Sequence, residues 1–188
     1  MRNLITLLIL TIFISGCAGY GETTKKSMMK PPFGNAEDVA FSEKLWNKLN
    51  ESGLNDKTAT LYIGGPPHGK VREVLEGKID NRRVIVKRNY GGKGVSIKSV
   101  SENRAKYLKA ITVMAKQGDG YDADNNNWFW VKYKADGSLH KNPKGMSLAG
   151  RVAKGMDKGC IACHKSASGT DMVFAHNKEA NAEITMVK

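Results

Sequence analysis

The chain has 188 residues, room for one domain of ordinary size and not for a second. Its 30 Lys and Arg outnumber 18 Asp and Glu, for a formal charge of +12, so its surface favours acidic partners or anionic headgroups. The basic residues are scattered rather than gathered with aromatics into a stripe, which argues against a nucleic-acid partner.

Met1-Arg2-Asn3 and the apolar run Leu4 to Phe13 form a cationic start and a hydrophobic stretch too short to anchor comfortably across a bilayer, the pattern of a secretory signal. The run closes in Ile14-Ser15-Gly16-Cys17, which resembles the bacterial lipobox. That resemblance implies removal of residues 1–16 and a diacylglycerol on Cys17, placing the protein on the periplasmic side of the cell envelope as a lipid-anchored chain. Ala18 supplies no Asp-type retention signal, a weak preference for the outer membrane. Loss of Arg2 with the signal takes the charge from +12 to +11. Residues 17–35 combine the modified Cys with Gly, Pro, Thr and Lys lacking apolar periodicity, and read as a tether.

Asn35 is placed to cap a helix over 36–51, in which Val39, Ser42, Leu45, Trp46 and Leu49 recur at helical spacing before Gly53. The period then changes. Thr60 to Ile63, before Gly64-Gly65-Pro66-Pro67, and Arg83 to Lys87, before Gly91-Gly92, read as strands, with a short helix over Val71 to Glu76 between them. Ala110 to Ala115 and Trp128 to Tyr133 add strands, joined by a loop over 118–127 and followed by a turn at Ala135-Asp136-Gly137. The order predicts an α+β fold: a mostly antiparallel sheet, an N-terminal helix and a C-terminal helical segment, in a domain over 36–188. Phe129, Val131 and Tyr133 share a strand face, as a sheet packed on a core requires, with a pocket wall as the alternative. His68, His140 and His176 lie beside turns or charges and read as surface residues.

Cys160-Ile161-Ala162-Cys163-His164 is the c-type haem attachment signature. On one helical turn the thiols face the same way and can each add to a haem vinyl group, and the adjacent imidazole is aimed at the iron. Zinc is the competing reading, but it needs about four ligands and no second Cys pair exists. With Cys17 assigned to lipid, no cysteine is left for a disulfide. Only 24 residues follow His164, and of the downstream methionines Met172 suits packing better than ligation. An iron with one protein ligand, and an open distal side, is the expectation.

The all-helical cytochromes c′, which also carry the motif late in the chain, would need four amphipathic helices that the β-rich middle does not supply. Instead Asn127 to Tyr133, the Asp136-Gly137 turn, Leu148-Ala149-Gly150-Arg151, the haem motif and Thr170 to Phe174 together resemble the cytochrome P-460 and cytochrome c′-beta family over about residues 36–180. The resemblance implies one covalent haem c held by Cys160 and Cys163, ligated by His164 and vacant on its distal side. It also implies that the protein either oxidises hydroxylamine or binds nitric oxide or carbon monoxide. In the hydroxylamine-oxidising members a strand lysine is joined to the haem edge, a role that falls on Lys87. Alternation puts Lys87 on one face with Arg83 and Ile85. An Arg of that family falls at Ala59 here, and Asp119, Asp122 and Asp124 are equivalent candidates for a proton-relaying acid. The alternative function is a non-catalytic electron carrier docking an acidic periplasmic redox partner.

Overall fold

Asn35 caps the first helix, α1 (Ala36–Glu51), by accepting from the Glu37 and Asp38 backbone N–H groups at 3.0 and 3.1 Å. The computed structural model describes residues 31–174 and the backbone of three short strands beyond them, so Cys17, the lipobox and most of the tether lie outside the described residues. Leu45 and Leu49 of α1 are buried against the sheet, and Ser42 O accepts the Tyr133 hydroxyl at 2.7 Å.

The strands are β1 (Tyr62–Ile63), β2 (Val71–Ile79), β3 (Arg82–Tyr90), β4 (Leu108–Lys116), β5 (Trp128–Tyr133) and β6 (Ala149–Gly150). Each pairs antiparallel with its chain neighbour, in the sheet order β1 to β6. Two short helices, α2 (Ile97–Glu102) and α3 (Arg104–Tyr107), fill the β3–β4 connection, and α4 (Cys160–His164) follows β6. Of the last strands, β7 (His176–Asn177) pairs with β8 (Ala182–Glu183), and β9 (Thr185–Met186) runs parallel beside β2. The architecture is α+β, as the pattern predicted.

One predicted element is overturned: Val71 to Glu76 is not a helix but most of β2, paired with β3 from Val71↔Tyr90 to Ile79↔Arg82. The hairpin turns at Asp80 and Asn81, both in the left-handed region (φ 48° and 60°), which is the geometry of a two-residue turn matching strand twist. Val71, Val74 and Leu75 mimic helical spacing, and Glu73 disguises an inward-facing position. Its carboxylate is buried against Arg88 and the Tyr90 hydroxyl, partners 15 and 17 residues away.

Both sheet faces are covered. On one, Val84, Val86, Phe129, Val131 and Tyr133 pack against α1. On the other, Val74, Ile85, Met114 and Trp130 meet Val152, Ile161 and Val173 of the C-terminal segment. The functional groups gather on this second face.

Candidate cofactor site

The register of the sheet assembles the site's floor. Val74, Lys87, Thr112 and Lys132 are successive cross-strand partners, and the next row on the same face is Ile85, Met114 and Trp130. Neighbouring strands lie about 4.8 Å apart, so the Lys87 and Lys132 backbones are about 10 Å apart with Thr112 between them. All of these residues line one cavity of about 640 Å³.

The C-terminal segment forms the opposite wall. Ile161, 2 % exposed, plugs α4 into the core, while Cys160 is half-buried and Cys163 exposed. Gly159, at φ 134°, precedes the helix at a close approach: a Cβ there would sit 2.4 Å from the Ala153 Cβ. His164 at the helix end packs edge-on against Trp130 and Phe174, with ring centroids 4.7 and 5.2 Å away.

The His164 ring is oriented by the backbone. Its Nδ1 lies 2.8 Å from Met172 O, so that nitrogen carries the proton and donates, leaving Nε2 with a free lone pair in a ring that lines the cavity. Burial pushes the imidazole down to about 4, against the pull of that carbonyl, so the ring is neutral at physiological pH. The Met172 carbonyl is held in turn by its neighbour. Asp171 takes Lys116 Nζ at 2.7 Å and the Arg83 guanidinium, and its carbonyl accepts Trp128 Nε1 at 2.9 Å. Arg83 is also bidentate to Glu76, at 2.6 and 2.7 Å.

The electrostatics at the cavity floor favour neutral bases. Desolvation lowers Lys87 to about 8, helped by Arg72 and opposed by the two thiols of the motif. His68 is pushed down to about 3 by burial, then by the charges of Lys87, Arg72 and Lys132. Burial raises the Cys160 thiol, with Lys132 and Lys87 pulling the other way.

A covalently attached haem fits these residues. The volume suits a ligand of cofactor size, both thiols and the free Nε2 reach the same space, and the walls are mainly apolar. Cys160 and Cys163 would hold the group and His164 would ligate its iron.

Lys87, Cys160, Cys163 and His164 therefore lie around one cavity, with Lys87 and Ile85 on its face of β3 and Val84 and Val86 on the other. Phe129 and Tyr133 pack on α1 as core, whereas Val131, which belongs to the same core cluster, also lines the cavity, so the pocket-wall alternative holds for Val131 alone. Met172 is buried in the second core. Asp119, Asp122 and Asp124 do not line the cavity; Asp122 instead bonds Asn125 Nδ2 at 2.8 Å and pairs with Lys154. Ala59 donates its backbone N–H to Glu73 at 2.9 Å. His140 lies at the surface near Lys109 O, and the side chain of His176 lies outside the described residues.

The surface reading of His68 is overturned, because its loop folds it against the cavity. Sequence reasoning also missed Lys132, Thr112 and Asp157, which line the cavity too. Alternation from Trp128 and Trp130 to Lys132 held a signal for that lysine, whereas Asp157 and His68 had none.

The family model described as Cytochrome P460 matches residues 46–175. No curated protein and no solved structure matches the chain.

Proposed function

Because the chain belongs to the cytochrome P460 family and is a c-type haem cytochrome, we propose that it binds or oxidises a small nitrogen compound, hydroxylamine or nitric oxide. Cys160 and Cys163 would hold one haem c and His164 Nε2 would ligate its iron, leaving the rest of the cavity for a small ligand. The observation that carries this reading is the His164 Nδ1 hydrogen bond to Met172 O at 2.8 Å, which leaves the other nitrogen free in the cavity shared by both thiols.

When bound, the haem supplies an iron that takes electrons from a substrate and passes them to a redox partner. The protein's own contributions follow from its residues. Trp130 and Phe174 hold the His164 ring edge-on, and Ile85, Met114 and Val173 keep water from the reacting space. Lys87 is the residue that the family's haem-edge crosslink falls on, and burial lowers its amine to about 8, so a sizeable fraction is uncharged and nucleophilic near that pH. A crosslinked Lys87 favours hydroxylamine oxidation; a free one favours gas binding.

The proposal includes export, a lipidated Cys17 that fixes the protein to the periplasmic side of the envelope, and an acidic redox partner matched to the +12 chain.

An absorption spectrum of the purified ferrous holoprotein, with and without carbon monoxide, tests the reading. A strongly red-shifted Soret band supports the crosslink. An ordinary five-coordinate spectrum that shifts with carbon monoxide supports gas binding, and no response sinks both in favour of a non-catalytic electron carrier. Lys87→Leu, read by spectrum and intact mass, removes Lys87 from the site if nothing changes.

A further inference from the structure

We propose that His68 is the side chain that hydrogen-bonds a small molecule bound at the haem, making the cavity selective for ligands with a polar N–O group. The inference rests on the haem-binding reading above and goes beyond it, because the family resemblance assigns His68 no role.

The turn that carries His68 is fixed in place. Gly64 N donates to Lys70 O at 2.8 Å, closing the loop between β1 and β2, and Arg72 Nε donates to Gly69 O at 3.0 Å. Gly69 lies against β3 so closely that a Cβ would fall 2.2 Å from Tyr90 O. The imidazole between these ties lines the same cavity as Lys87 and His164.

Its hydrogen-bonding capacity is unused. Among the described residues the His68 ring has no hydrogen-bond partner, whereas His164 and His140 each have a backbone carbonyl. The other polar groups of the floor are committed or one-sided. Thr112 Oγ1 already accepts Asn89 Nδ2 at 3.2 Å, Lys87 is the residue the haem-edge crosslink falls on, and Lys132 serves as a donor. Burial first, and then the nearby charges of Lys87, Arg72 and Lys132, keep the His68 ring neutral, so it presents one N–H and one lone pair. Against apolar neighbours such as Val74, a hydrogen bond from that ring is worth more than it is in water. A ligand with both an acceptor and an exchangeable proton, as hydroxylamine has, engages either side of it.

The test uses the ferrous holoprotein with carbon monoxide as probe, in the wild type, His68→Leu and His68→Gln, each checked for folding by circular dichroism. Losing one hydrogen bond to the bound ligand is expected to raise the C–O stretching frequency and speed dissociation up to about tenfold in His68→Leu, with His68→Gln in between. Carbon monoxide binding that is indistinguishable in all three proteins overturns the role of His68 and leaves the proposed function standing. A wild type that is low-spin, refuses carbon monoxide and becomes high-spin only in His68→Leu shows His68 ligating the iron itself, which overturns this inference and the open distal side together. A low-spin iron in all three assigns the sixth position to another side chain, such as Met156 at the cavity wall, with the same consequence.

Discussion

Replacing Glu73 by Leu removes a fully buried carboxylate on which several groups converge. Ala59 N donates to it at 2.9 Å, Arg88 Nη1 at 3.1 Å and the Tyr90 hydroxyl on the same oxygen as Arg88, while Arg104 Nε stands 3.5 Å away. Arg88, itself 5 % exposed, is left as a buried charge without its anion. Breaking such a pair from one side costs about 3–5 kcal/mol. Arg88 keeps the carbonyls of Leu54, Asn55 and Lys57, the first at 3.0 Å and the last at 2.7 Å, which puts the expected loss near the low end, about 3 kcal/mol. That is a large share of a stability of about 5–15 kcal/mol and predicts a fall in Tm of about 10 °C. Urea unfolding of the holoprotein, followed by far-UV circular dichroism, should show a lower midpoint with an unchanged slope. Glu73→Gln, which keeps an acceptor, should lose roughly half as much. A Glu73→Leu protein within about 0.5 kcal/mol of wild type would refute the reasoning: apolar packing alone would then hold β2, and the segment pinned by Arg88 would need no anion.

Asp171→Ala should cost only about 1 kcal/mol, since its side chain is 37 % exposed, yet it should shift the iron–histidine vibration of the holoprotein by loosening the Met172 carbonyl; an unmoved band assigns that carbonyl to other contacts. Lys87→Met should stabilise the protein if the Lys87 amine is free. Burial lowers that amine from 10.5 to about 8, so the folded state carries a penalty of about 3 kcal/mol below pH 8. Between about pH 8 and 10.5 the unfolded chain binds more protons than the folded one, so wild-type stability rises and the advantage of the variant disappears. Stability curves of the two proteins that run parallel from pH 7 to 10.5 would instead put the amine in solvent. Tyr133→Phe should lose about 1 kcal/mol in the same unfolding assay, because the Ser42 carbonyl it gives up, 2.7 Å away, belongs to α1 and keeps a helical partner.

What lay in the sequence was local chemistry at fixed spacing. Cys160, Cys163 and His164 fall on one turn of helix because five consecutive residues suffice to specify that turn. Asn35 announced α1, and β-branched and aromatic runs announced β3, β4 and β5, because caps and alternation act within a few residues. The face of β3 that carries Lys87 was legible from a period of two. Folding alone decided what that face meets. The row from Lys87 through Thr112 to Lys132 joins residues 25 and 20 positions apart by strand register. The tie from Asp171 to Arg83 that steadies the His164 acceptor spans 88 positions. β2 was misread because its strand character lies in an anion paired across the sheet, and His68 because burial comes from a turn folded onto a distant wall. Spacing along the chain specifies the bonds a haem would make; the shape and polarity of the space around it come from contacts between segments whose separation no local pattern encodes.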